Sequence, residues 1–121
     1  MSEDFPESMP ETIRLRIQDS LKHISKVAEG HKKLPRSEMA EQEIKNKLAI
    51  IRANHGLWSK NNDLKDYVDF YTEAYLKELI KVYPADRDVI KREWDAILAD
   101  VDPQKAVVLG KYNKVFEESG N

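Results

Sequence analysis

The sequence predicts an all-α protein, a compact bundle of four to five helices with the third at its centre. Three observations carry that reading. Apolar residues recur at helical spacing in five successive segments, and no segment sustains the period-two alternation of a strand. Hydrophobic residues make up 40% of the 121, enough for one domain's core, whereas only 4 residues are glycine, too few for a glycine-turned β fold or a phosphate-cradling loop. The connections between segments are short and polar, which favours antiparallel neighbours.

The first helix is expected from about Ser8 to Gly30. Ser8 and Glu11 stand at capping-box spacing, and Pro10 is tolerated in a first turn. Ile13, Ile17, Leu21, Ile24 and Ala28 make its apolar stripe, Gly30 reads as a stop, and Pro35 opposes continuation. A second helix runs from about Ser37, a capping residue, to Asn54, with Ala40, Ile44, Leu48 and Ile51 on one face. His55-Gly56-Leu57 reads as its C-terminal stop, which leaves Trp58 in the loop that continues through Asn62.

The third helix, about Asp63 to Tyr83, is the most apolar. Leu64, Val68, Tyr71, Tyr75, Leu79 and Val82 span 18 residues in five steps, a mean of 3.6, which is the period of an α-helix. Tyr67, Phe70, Ala74, Leu76, Ile80 and Tyr83 widen the arc beyond one stripe, so this helix must meet more than one neighbour. Pro84 ends it. A fourth helix starts at Asp86 as cap and carries Ile90, Trp94, Ile97, Leu98 and Val101. Asp102-Pro103 restarts the chain as a fifth helix with Ala106, Val108, Leu109, Tyr112, Val115 and Phe116 inward. Residues 1–8 form an acidic arm, 9–118 a single helical domain, and 119–121 a fraying end.

Composition excludes several classes of chemistry. The absence of cysteine removes disulfides, thiolate metal sites, thiol catalysis and iron–sulfur clusters, and it is compatible with a reducing cytosol. The acidic N-terminus has no apolar run behind it, so no signal peptide is expected, and no run approaches the roughly 20 residues of a membrane span. A soluble, cytoplasmic protein follows. Histidines 23, 31 and 55 form no His-x-x-x-His or Glu-x-x-His pair. Asp19 and His23 share a helix face, as carboxylates and bases commonly do on a charged helix. The acid pairs Asp86/Asp88 and Asp100/Asp102 fall at helix ends and read as caps, and Glu78 sits at the edge of the apolar arc. No catalytic residue, metal ligand or cofactor is assigned, and no enzymatic activity is expected.

Charge and stray apolar residues therefore carry the functional reading. Residues 14–60 hold eleven bases against five acids, while residues 61–121 hold nine against thirteen. Lys22, Lys26 and Lys33 line the side of the first helix opposite its core stripe. Leu15 points the same way, Ile50 and Met39 lie off the stripe of the second helix, and Trp58 has no assigned core place. Leu15, Lys22, Lys26, Lys33, Ile50 and Trp58 are the candidate partner-binding residues, with Trp58 as aromatic anchor and the lysines selecting an acidic surface. The protein is thus read as a small non-enzymatic protein-binding regulator or adaptor, an inhibitor or accessory subunit; the same patch could serve self-association. The alternative is a nucleic-acid-associated regulator using the basic face of helix one, against which Asp19 and Glu29 interrupt the lysines and no aromatic is interleaved. A small-ligand binder or enzyme is the third reading.

Overall fold

A computed structural model describes residues 5–31 and 37–118, with the side chains of 31, 37–39 and 118 outside the described set. The chain folds as α1 (Glu11–His31), α2 (Ser37–Lys60), α3 (Val68–Val82), α4 (Arg87–Asp100) and α5 (Pro103–Gly110), closed by a one-turn α6 (Lys114–Glu118). Short 3₁₀ turns precede α3 and α4 and separate α5 from α6. The described residues contain no strand. The protein is an all-α bundle, and α3 lies at its centre, touching α1, α2, α4 and α6.

The apolar stripes are the core. Ile13, Ile17, Leu21, Ile24 and Ala28 of α1 are buried, as are Ala40, Ile44, Leu48 and Ile51 of α2 and Ile90 and Trp94 of α4. From α3, Tyr71, Thr72, Ala74, Tyr75, Leu76, Leu79 and Ile80 are all inside, the wide arc that a central helix requires. Thr72 tolerates this by donating its hydroxyl to the Val68 carbonyl one turn back, at 2.8 Å.

Helix boundaries follow local signals in one place and tertiary contacts in others. Asp102 caps α5 as expected, its carboxylate accepting the Lys105 N–H at 2.9 Å, with Pro103 at the first helical position. Asp86 stands at the cap position of α4, but its side chain makes no cap hydrogen bond. The Ser8–Glu11 capping box is not used. α1 begins at Glu11, the Pro10 carbonyl accepts from Arg14 N–H at 3.0 Å, and the Glu11 carboxylate turns to Arg14. Ser8 instead gives its carbonyl to the Tyr67 hydroxyl at 3.0 Å. α3 starts at Val68 rather than Asp63, because Asn61 builds a turn, its side-chain oxygen accepting Asp63 N–H and its carbonyl accepting from Leu64 and Lys65. The predicted fifth helix breaks at Lys111–Asn113.

The largest correction is at the end of α2. The helix does not stop at Asn54 but runs through Gly56 to Lys60, so Trp58 is helical and 2% exposed. No described glycine has a positive φ, the conformation by which glycine commonly ends a helix. Trp58 sits seven residues after Ile51, on the same face, and stacks on Tyr71 with ring centroids 4.5 Å apart. Burying a large apolar side chain contributes roughly 1.5–3 kcal/mol, more than the ~1 kcal/mol that glycine costs inside a helix.

One buried charge pair was not foreseen. The Lys47 ammonium and Glu43 carboxylate pair at 2.9 Å with side chains only 8% and 17% exposed. Glu43→Ala strands the lysine and should cost about 3 kcal/mol, whereas Glu43→Ala combined with Lys47→Met should recover most of that loss in urea unfolding. An equal loss in both variants would show that the glutamate acts by packing alone. Leu79→Ala should cost roughly 2–5 kcal/mol and Trp58→Ala roughly 3–5, since both side chains are enclosed in the core. A loss under about 0.5 kcal/mol at either would contradict the packing described.

Candidate interaction surface

The five described candidate residues do not converge. Leu15 is 46% exposed on α1, with exposed Lys22 and Lys26 seven and eleven residues on, two and three helical turns along one outer face. Lys33 lies outside the described residues. Ile50 is 41% exposed on α2, where it shares an outer face with exposed Leu57. Trp58 leaves the set, because it is sealed between α2 and α3 with the Arg16 guanidinium 5.6 Å from its ring centre. The described residues ahead of α1 pack elsewhere than on Leu15. Phe5 packs on Phe70 at 5.0 Å and Met9 enters the core.

A better-formed feature lies where α5 crosses the end of α2. Gly56, Val108 and Leu109 line a groove of about 340 Å³, His55 forms one wall, and Ser59, Lys60, Gln104 and Lys105 stand around its mouth with Asp102. Val108 in its lining is 44% exposed, and Val107, 100° round α5 and outside the lining, is 78% exposed. Periodicity offers both Val108 and Leu109 to the core, but Leu109 takes that position, and consecutive helical residues diverge by 100°. The α2 extension creates this groove, since Gly56, Ser59 and Lys60 all belong to the segment that the sequence assigned to a stop and a loop. An adjacent groove between α2 and α4 is bridged by Arg52 and Asp100 at 2.9 Å.

Gly56 is unusual for its place. It is followed by four more helical residues, its φ is not positive, and a Cβ built on it meets no atom within 4 Å. Neither backbone conformation nor packing calls for glycine, yet glycine costs roughly 0.5–1 kcal/mol in a helix relative to alanine. Gly30 and Gly110 also have room for a Cβ, but they sit at the ends of their helices, where that cost is small.

A polar cluster supports the groove from behind. The Tyr112 hydroxyl donates to Asp69 at 2.5 Å, Lys111 pairs with Asp69 at 2.8 Å, and the His55 ring meets Tyr112 edge-on at 5.8 Å. Burial opposes the Asp69 charge, but the Lys111 and Tyr112 hydrogen bonds outweigh it and hold the carboxyl below its usual range. Burial and the Asp69 carboxylate push the Tyr112 ionisation far up, which keeps the hydroxyl a donor. Burial lowers the His55 pKa, Lys111 and Lys105 reinforce it, and Asp69 opposes it. Lys60 and Lys105 have no ion-pair partner among the described residues, while the Asp102 carboxylate is engaged in capping α5. The groove therefore joins an apolar floor to a positively charged mouth.

No protein-family model matches the chain, and comparison with curated proteins and with solved structures finds no similar protein. Among the described residues no helix is long and apolar enough to cross a membrane, and no three metal-ligating side chains come together.

The His55 shift has a consequence for stability. The unfolded chain binds a proton near pH 6.5 that the folded chain accepts only at lower pH. The stabilisation is fully present above about pH 6.5 and is lost as pH falls through the folded value. The urea midpoint should drop between about pH 7 and pH 5, and the drop should be smaller in His55→Gln. An unchanged drop in that variant would assign the effect to other groups.

Proposed function

We propose that this chain is a small protein-binding regulator or adaptor without enzymatic activity of its own, working in the cytoplasm through the face that α2 and α5 share. The observation that carries this reading is the pairing of two neighbouring exposed valines, Val107 and Val108, with an open groove whose floor is apolar and whose mouth is basic. Scattered exposed apolar side chains are ordinary on a monomer, but a half-exposed Val108 in the lining of an apolar depression makes a place for a partner's side chain. Charge at the mouth then selects and orients the partner.

The basic face of α1 supports the alternative of nucleic-acid binding less well. Lys22 and Lys26 are exposed and could follow phosphates. However, all ten aromatic side chains are buried or partly buried, Trp58 included, so no exposed ring stands beside those lysines for bases to stack on.

The reading is tested by capture on the purified wild-type chain, on Val107→Glu combined with Val108→Glu, and on Leu15→Ser combined with Ile50→Ser, each checked for native helicity. Proteins retained by the wild type and the second variant but lost with the first are the expected result. Equal retention on all three chains, or none, would overturn it. Nucleic acid that co-purifies with the wild type and disappears in Lys22→Gln combined with Lys26→Gln would establish the alternative instead.

A further inference from the structure

Resting on the protein-binding reading, we infer that the groove between α2 and α5 takes an acidic segment of the partner, one apolar side chain of which seats against Gly56 while flanking carboxylates meet Lys60 and Lys105. Three features lead there. Gly56 leaves space that the fold does not use: an added Cβ would touch nothing, and the backbone is ordinary helix. A helix that omits a side chain at a net loss of stability, in the wall of a groove, has traded that stability for room. The charge at the mouth is net positive, two lysines against the one carboxylate of Asp102. Asp102 is engaged by the Lys105 backbone N–H, whereas Lys60 and Lys105 carry ammonium groups with no ion-pair partner among the described residues. Carboxylates are the complement of that mouth.

The shape selects a protein segment over a small amphiphile. A site that encloses a small molecule buries most of its surface. Here the groove is open, about 340 Å³, and Val108 in its lining is 44% exposed. That form suits a side chain presented by a chain that runs on across the lip.

Binding of synthetic peptides to the full chain tests the inference. One set places Leu or Ile between Asp and Glu residues, a second replaces the apolar residue by Ala, and a third replaces the acids by Lys; decanoate serves as the small amphiphile. The first set should bind, weaken at least about tenfold when the anchor is Ala or when Lys60 and Lys105 are changed to Glu, and lose affinity with rising salt. Amide resonances of Gly56, Lys60, Lys105 and Val108 should shift on binding. Gly56→Ala should raise the melting temperature by about 2–5 °C, showing that the fold accepts a Cβ there, and Gly56→Leu should fill the groove and weaken binding at least about tenfold with native helicity retained.

Undiminished binding by Gly56→Leu, equal binding of the Lys-flanked set, or decanoate binding in place of the peptides would overturn the inference. So would the absence of any peptide binding tighter than about 1 mM. If peptides fail while the Val107→Glu and Val108→Glu chain still loses captured proteins, the acidic-segment inference falls and the protein-binding reading stands. If that capture is unaffected as well, both fall.

Discussion

The stack of Trp58 on Tyr71 is the contact on which the arrangement of this protein turns. It joins the last turns of α2 to the first turn of α3, with ring planes 24° from parallel. Around it, Tyr75 meets Tyr71 edge-on at 5.4 Å, Arg16 of α1 covers the indole, and Asn54 donates to the Tyr71 hydroxyl at 2.8 Å. Three helices are tied at one point by groups of large apolar area, with Asn54 on the Tyr71 hydroxyl and Arg16 over the indole face, while the Trp58 Nε1–H is buried without a hydrogen-bond partner. Residues 55–60 are helical because the stack needs Trp58 in that register. The face that those residues present to α5 is a consequence of the same contact.

This explains which parts of the architecture were legible in the amino-acid order. The stripes of α1, α2 and α3 could be read because burial repeats with the helical period, and each member added evidence to its neighbours. Asp102-Pro103 could be read because a cap is settled within four residues. Gly56 could not. Its local signal as a stop is real, but the outcome was decided by Trp58 and Tyr71, which meet only after the chain has turned back. The candidate site suffered in the same way. With residues 55–60 read as a stop and a loop, Trp58 falls at the surface and the wall of the groove is hidden. Val108 was misassigned because period alone does not say which flank of a short helix a neighbour reaches. The one available hint was Val107-Val108 itself, since a helix cannot turn both fully inward beside Leu109.

Charge behaves differently from apolar burial here. The basic first half and acidic second half do not simply clasp one another. Arg52 of α2 reaches Asp100 of α4, but Arg92 of α4 reaches back to Glu41 of α2, and both pairs are exposed, where solvent screens such contacts. They set the register of α4 against α2 more than they stabilise it. Lys22 and Lys26 on α1, and Lys60 and Lys105 by the groove, are among the cations that this pairing leaves to solvent, on separate faces. Lysines at the groove act together with apolar surface, and those on α1 have only Leu15 beside them. Electrostatic steering without an apolar anchor raises encounter rates but does little to hold a partner, so the two faces are not equivalent places to bind.

Gly56 links the fold to what the surface can do. In a minimally conflicted sequence each position agrees with its local structure, and a residue that disagrees without a packing reason points to a demand from elsewhere. The ring stack is strong enough to carry the helix across a glycine, so the chain can keep a gap in its own wall without losing the last turn of α2. Filling that gap would strengthen the helix and narrow the groove at once. The stability of the stack and the openness of the groove therefore depend on each other: only a helix held from its buried side can leave its outer side unfilled, and the unfilled side is where Val108, Leu109 and the free lysines converge.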